Sequence, residues 1–364
     1  MKRLICTVMA IVTAVFMTYK SDIKANGINT GAECAILMCA DSGEVLYEKN
    51  ADKKCAVASI TKIMTAVIAL EYAAENDIAV KFTPEMAAEG SSMYLENGDM
   101  LKLSEIVKGM MAVSGNDAAN AAAFAVAGSL EKFAVLMNEK AAQLGMKNTH
   151  FVTPSGLDDE NHYSTARDMA LLCCCAMEND DFKDIVSKRS IEVSYIFPEG
   201  KTQTCVNHNK LLSTYTGCIG IKTGYTKKAG RTLASCAERD GIRLIAVTLN
   251  DSSDWNDHTA LFDHGFSLYE QHTLVHTTDT YKLPVVGSDS EYTEVHPEKD
   301  CTAPVKKDGS EMPVRKIYMP HFLYAPVNKG SCIGELCYYY GKRKIISVRL
   351  ITGTQADIYT EQTK

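Results

Sequence analysis

Val57-Ala58-Ser59-Ile60-Thr61-Lys62-Ile63-Met64-Thr65-Ala66 opens a run of Ala, Ile, Met, Val and Leu that reads as a buried helix reaching to about Ala74. Ser59 and Lys62 stand three apart, so on a helix they share a face and an amine lies beside a hydroxyl. A serine hydroxyl is a weak nucleophile until a base takes its proton. A lysine can be that base when burial or a nearby cation lowers its pKa, and an apolar helix start offers burial. The pattern alone says little. Ser-x-x-Lys also occurs at Ser21/Lys24 and Ser129/Lys132, and taken singly Ser59 reads as an ordinary helix N-cap.

Working outward, Cys34 to Cys39 and Glu44 to Glu48 read as two strands of a hairpin around Asp41-Ser42-Gly43. After the Ser59 helix, Phe82 to Asp99 is polar. Leu101 to Met111 is helical by period, and Val113-Ser114-Gly115-Asn116-Asp117 breaks the pattern. The Ala-rich run Ala118 to Ala127 requires a tightly packed helix, and Leu130 to Leu144 forms another, closed by Gly145. Thr165 caps a helix through Cys175, with Asp168 at its third position. Ile191 to Phe197 reads as strand and Cys205 to Leu212 as strand and connector. Arg231 to Ala237 and Ile242 to Asn250 form an antiparallel pair buried on at least one face, and Asp254 to Phe266 is the last helix. Beyond Tyr269 come most of the prolines, short alternating apolar runs and no helical pattern. Ile317 to Met319, Ile333 to Tyr338 and Lys344 to Ile351 read as strands of a small β-domain. The expected division is 1–25, 26–268 and 275–364.

With 364 residues the chain can hold two domains and one sizeable core. The formal charge is −7, falling to −10 without residues 1–25, which carry Lys2, Arg3, Lys20 and Lys24 against Asp22. Such a balance, with no basic stripe, argues against nucleic acid. Lys2-Arg3 followed by the uncharged stretch Leu4 to Tyr19 reads as a secretory signal, with Ile23-Lys24-Ala25 as a cleavage site and an uncleaved anchor as the alternative. Either way the remainder is expected to be exported. Cys173-Cys174-Cys175 point in different directions on a helix, and Cys34, Cys39, Cys218 and Cys236 lie in strand-like runs. These read as small buried apolar residues rather than a disulfide scaffold. No Cys-x-x-Cys occurs, His272 and His276 lack a metalloprotease Glu between them, and neither metal nor cofactor is expected.

Three motifs stand in one order: Ser59-x-x-Lys62, Ser114-Gly115-Asn116 and Lys222-Thr223-Gly224, the second and third occurring once each. This set resembles the signature of penicillin-binding proteins and serine β-lactamases, and it distinguishes Ser59 from Ser21 and Ser129. Lys222-Thr-Gly-Tyr-Thr-Lys-Lys-Ala-Gly230, Gly90-Ser-Ser-Met-Tyr-Leu95, Thr153-Pro-Ser-Gly-Leu-Asp158 and His162-Tyr-Ser-Thr-Ala-Arg-Asp168 are similar to D-alanyl-D-alanine carboxypeptidases, over residues 28 to about 268. The segments Ala325 to Gly330 and Ile333 to Leu336 resemble that family's trailing β-domain more loosely.

The resemblance implies an α/β (α+β) domain of the serine β-lactamase and penicillin-binding type, with an antiparallel sheet flanked by helices, plus a small C-terminal β-domain. It implies that Ser59 attacks the penultimate D-alanine carbonyl of a peptidoglycan stem peptide and that Lys62 takes its proton. A cationic Lys222 would help keep Lys62 neutral. Ser114 would relay protons to the leaving nitrogen, and Asn116 would bond Lys62 or the substrate amide. Lys222 and Thr223 would hold the terminal carboxylate. The strand through Gly224 and Tyr225 would pair with the peptide, and the N–H groups of Ser59 and Tyr225 would form the oxyanion hole. β-Lactams are expected as inhibitors that acylate Ser59. Some relatives place an arginine for the carboxylate near the end of the strand after the Lys-Thr-Gly strand. Here that region reads Asp251-Ser-Ser-Asp-Trp-Asn256, without one. The family's C-terminal membrane helix is not seen, which leaves peripheral membrane association open. Two other functions compete. A β-lactamase would need a Glu-x-x-x-Asn loop, and none lies between Ser114 and Lys222. An inert peptidoglycan-binding protein would carry a damaged motif, and all three motifs are intact.

Overall fold

The computed structural model describes residues 28–310 and 312–360, so the signal expected over residues 1–25, and Ser21/Lys24 with it, falls outside the described residues. The first part of the chain runs β1 (Cys34–Cys39), β2 (Val45–Lys49), a 3-10 turn (Ala58–Thr61) leading directly into α1 (Lys62–Glu75), β3 (Ala79–Lys81), β4 (Met100–Lys102), α2 (Leu103–Val113), α3 (Asn116–Ala127) and α4 (Leu130–Gln143). It continues with α5 (Ala166–Ala176), α6 (Asp180–Ser187), β5 (Ser190–Ser194), β6 (Thr202–Val206), α7 (Leu211–Thr214), β7 (Cys218–Thr226), β8 (Gly230–Arg239), β9 (Ile242–Leu249) and α8 (Asp254–Ser267).

Five strands form one antiparallel sheet in the order β2-β1-β9-β8-β7. Both faces are covered, which explains why β9 is buried at every position. On β1, Cys34, Ile36 and Met38 face the helices α1 to α6, while Ala35, Leu37 and Cys39 face Leu261 and Phe262 of α8. That alternation is the period-2 geometry of a strand between two layers. In α3, Ala118, Ala119, Ala121, Ala122 and Ala123 are all fully buried; methyl side chains let neighbouring helices approach closely. Thr165 caps α5 by accepting from the Asp168 N–H, as expected. Ser129 does the same for α4 with Lys132, so the second Ser-x-x-Lys is a cap.

The short helices α6 and α7 were not expected, the strand expected over Ile191–Phe197 is Ser190–Ser194, and two further differences stand out. The helix expected from Leu101 begins at Leu103, because Met100–Lys102 pairs with β3, a strand the sequence pattern did not reveal. The C-terminal part holds eight strands rather than three: β10 (Tyr269–Val275), β11 (Tyr281–Val286), β12 (Tyr292–Pro297), β13 (Cys301–Lys306), β14 (Val314–Tyr318), β15 (Leu323–Tyr324), β16 (Cys332–Tyr340) and β17 (Arg343–Thr352). They form a β10–β13 pair and a six-stranded sheet ordered β14-β16-β17-β12-β11-β15 around Val275, Leu283, Val295, Leu336, Val348 and Leu350. This part is fastened to the β1–β2 hairpin by Arg343 on Asp41 at 3.0 Å and by Lys306 on Glu44. Among the described residues every cysteine is a free thiol, and only Cys332 is exposed. Burial pushes the Cys173 and Cys236 thiols up, out of the reactive range.

Candidate active site

Ser59 sits in the 3-10 turn that feeds α1, immediately after Ala58, whose φ of +49° is unusual for a residue with a Cβ. The turn holds Ser59 at the lip of a cleft while α1 carries Lys62 beneath it. Lys62 is completely buried. Its Nζ lies 2.9 Å from Ser59 Oγ, 2.7 Å from Asn116 Oδ1 and 2.6 Å from the Ser155 carbonyl oxygen. The Asn116 amide is fixed because its Nδ2 donates to the Glu89 carbonyl at 2.6 Å, so Oδ1 points at the lysine. Burial pulls the Lys62 pKa well down, and the neighbouring Lys222 adds to the effect. Burial is therefore the larger cause, ahead of the charge repulsion anticipated from Lys222. Lys222, 2% exposed, is itself brought to about 7 by burial.

The wall opposite α1 is β7. It is an edge strand, and it lies hard against the nucleophile turn. A Cβ on Gly224 would stand 2.9 Å from the Ser59 nitrogen and 2.5 Å from Thr232 Oγ1. Only glycine allows that approach. Thr232 in turn donates to the Val57 carbonyl at 3.0 Å, which ties β8 to the same turn.

The third wall is the α2–α3 junction. Ser114 ends α2 in the left-handed region, φ +62°, and lines the cleft with Ser59, Thr223, Gly224 and Tyr225. Among the described residues, no hydrogen bond joins its hydroxyl to either lysine. Asp117 organises the Gly90–Leu95 segment: its carboxylate accepts from Ser92 Oγ and from the N–H groups of Met93 and Leu95 at 2.7, 2.8 and 3.1 Å. The loop that supplies the Ser155 carbonyl is pinned to α1 by Thr65 Oγ1 on the Pro154 carbonyl (2.6 Å) and by Thr61 on His162 (2.9 Å). Burial lowers His162 to about 4.

All eight residues singled out from the sequence thus converge on one region. The cleft, about 560 Å³, has further walls the sequence did not flag: Ser91, His208, Lys210, Arg231, Asp254 and Trp255. The Ser155 carbonyl could not be flagged, since a backbone oxygen has no side-chain signature. Arg231 was not flagged because its place in the cleft depends on β8 lying beside β7.

Two family profiles match the chain: D-alanyl-D-alanine carboxypeptidase over residues 20–253, and the penicillin-binding protein 5 C-terminal domain over residues 269–357. The sequence is 34% identical to the D-alanyl-D-alanine carboxypeptidase DacF of Bacillus subtilis, over 92% of this chain and 90% of that one. It is 33% identical to DacC of Escherichia coli, over 86% and 81%. Among solved structures, the D-alanyl-D-alanine carboxypeptidase DacD of Francisella tularensis superposes with a TM-score of 0.64 at 27% identity, over 93% of this chain and 97% of that one. Penicillin-binding protein 5 of Haemophilus influenzae gives 0.63 at 27%, over 91% and 98%.

Proposed function

The chain belongs to the D-alanyl-D-alanine carboxypeptidase family and is a serine-type carboxypeptidase, and from that premise we propose that it works through an acyl-enzyme on Ser59 with Lys62 as the general base. One observation carries this assignment. Lys62 Nζ has three oxygen neighbours, and two of them, Asn116 Oδ1 and the Ser155 carbonyl, can only accept. A neutral amine has two N–H groups and one lone pair. In the neutral form the two acceptors take both N–H groups, and the lone pair then faces the Ser59 hydroxyl, 2.9 Å away. Burial first, and then the neighbouring Lys222, lower the pKa of this amine, which favours its neutral form. The base is therefore aimed at the hydroxyl before substrate arrives.

The substrate in this proposal is a peptidoglycan stem peptide ending in D-Ala-D-Ala, met outside the cytoplasmic membrane. It lies along the edge strand β7 as an added strand. Ser59 Oγ attacks the penultimate carbonyl while its proton passes to Lys62 Nζ. The oxyanion accepts from the N–H groups of Ser59 and Tyr225; losing one such donor typically slows a reaction about 100- to 1000-fold. When the C–N bond breaks, the proton on Lys62 goes to the departing D-alanine nitrogen by way of the Ser114 hydroxyl. Water then attacks the ester with Lys62 again as base, which regenerates Ser59 and releases the shortened peptide. β-Lactams acylate the same oxygen and leave slowly.

The test is release of free D-alanine from a synthetic peptide ending in L-Lys-D-Ala-D-Ala. The wild-type protein releases it and Ser59→Ala does not. Equal release by both proteins would remove Ser59 from the mechanism.

A further inference from the structure

Two cysteines that play no part in the Ser59 mechanism meet beside the segment that leads to it. Cys34 Sγ and Cys55 Sγ are 3.4 Å apart. Among the described residues no other two cysteine sulfurs come within hydrogen-bonding distance. We propose that Cys34 and Cys55 are a disulfide-forming pair, closed by exchange with a small external disulfide, and that the bond clasps β1 to the segment entering the nucleophile turn. The proposal is independent of the chemistry at Ser59.

The backbone brings these sulfurs together. Cys34 pairs with Leu249 of β9, and its side chain enters the core on the face covered by α1 to α6. Cys55 is held by Ser164: its N–H donates to the Ser164 carbonyl at 2.8 Å, and its carbonyl accepts from the Ser164 N–H at 3.0 Å. The Cys55 side chain packs on the same core. Thiols are weak donors and weak acceptors, so the contact contributes little while both are reduced. A disulfide spans about 2.05 Å, and the sulfurs therefore close by little more than an ångström on oxidation. Two residues beyond Cys55 the Val57 carbonyl accepts from Thr232, and Ser59 follows after two more. The bond fixes the entry to the turn at a second point. It also closes a loop around the β1–β2 hairpin, between positions 21 apart, which restricts the unfolded chain.

The two thiols are unequal. Cys34 is fully buried, whereas Cys55 is half-buried. The hydrogen bond between them, ahead of burial, raises Cys34; the same bond lowers Cys55, against the effect of its own burial. The charges nearby are an ion pair, Lys53 with Glu33 at 2.6 Å, whose members act on Cys55 in opposite senses. Cys55 is thus the thiol that ionises first and the one a reagent reaches. Its thiolate attacks one sulfur of the external disulfide, forms a mixed disulfide and expels the first thiolate. Cys34 then gives its proton to solvent, attacks Cys55 Sγ and expels the second. The two protein thiols are oxidised, and the external disulfide is reduced to two thiols. Outside the cytoplasmic membrane, where the proposed function places the chain, such bonds persist.

The test is incubation of the protein with oxidised glutathione at about pH 8, near the ordinary thiol pKa. The remaining thiols are then alkylated, and tryptic peptides are mapped without reductant. The expected species joins the peptide ending at Lys49, which contains Cys34, to Cys55–Lys62. It is two hydrogens lighter than the separate peptides and disappears with dithiothreitol. Fragmentation places the bond on Cys34 rather than on Cys39, which the same peptide contains; this reading of the wild type stands even where a variant does not fold. In Cys34→Ala the exchange stops at its first step, and Cys55 carries glutathione. Oxidation raises the melting temperature of the wild type by about 4 °C and leaves that of Cys55→Ala unchanged. Cys34 and Cys55 both still alkylated in the wild type, a bond through Cys39 instead, or a Cys34–Cys55 bond without a rise in melting temperature would each overturn the proposal.

Discussion

At the residue scale, the account turns on how Lys62 is surrounded. Replacing it by Met keeps the volume but removes the base, and the acylation rate should fall by about 10² to 10⁴, read by stopped-flow with a chromogenic β-lactam. The pH profile has a definite sign. Lys62 acts when neutral, and burial first, then Lys222, hold its pKa below the usual lysine range. Activity is therefore lost as pH falls through the folded-state pKa of Lys62. Lys222→Gln removes one of the two depressing causes, so the pKa of Lys62 rises and the acid limb of acylation moves to higher pH. An unmoved limb would mean that Lys222 does not influence the base. Ser59, Lys62, Ser114 and Lys222 were legible in the sequence because their chemistry resides in side chains at fixed spacings. The Ser155 carbonyl and the place of Arg231 in the cleft wall were not, since the first is backbone and the second depends on which strands are neighbours.

At the element scale, function depends on β7 lying against the turn that carries Ser59. Gly224→Ala puts a methyl 2.9 Å from the Ser59 nitrogen. We expect it to reduce acylation at least tenfold while circular dichroism stays native; unchanged acylation would show that this contact has slack. The outer face of the sheet makes a separate prediction. His258 of α8 is fully buried, bonded to Ser235 and to Thr248 at 3.0 Å, and burial lowers it to about 3 from an ordinary 6.5. The unfolded chain thus binds a proton there that the folded chain refuses between those values. Stability should fall with pH from about 6.5 towards 3, by up to about 1.4 kcal/mol per pH unit from this group. Urea midpoints across that window should show a shallower slope in His258→Gln than in wild type. The longer helices and the central strands were legible because their apolar periods are long, whereas the short α6 and α7 were not. The C-terminal strands were largely not: Pro284, Pro297 and Pro304 lie within β11, β12 and β13, and proline argues against a strand when its neighbours are unknown.

At the scale of the whole molecule, the two sheet systems meet through charge as well as apolar packing. Arg343 of β17 bonds both oxygens of Asp41 at 3.0 Å, and the Asp41 side chain is 1% exposed. Arg343→Ala leaves a buried carboxylate without its cation. A loss of about 3 kcal/mol in chemical denaturation is expected, with β-lactam acylation of the folded protein unchanged. Faster or slower acylation in that variant would mean that the C-terminal part governs the cleft. The central claim is the nucleophile, and intact-protein mass spectrometry after brief exposure to benzylpenicillin tests it most directly. The account predicts a mass gain of one penicillin on wild type, mapped to the peptide containing Ser59, and none on Ser59→Ala. An unmodified wild type, or an adduct of equal yield on Ser59→Ala, would contradict it.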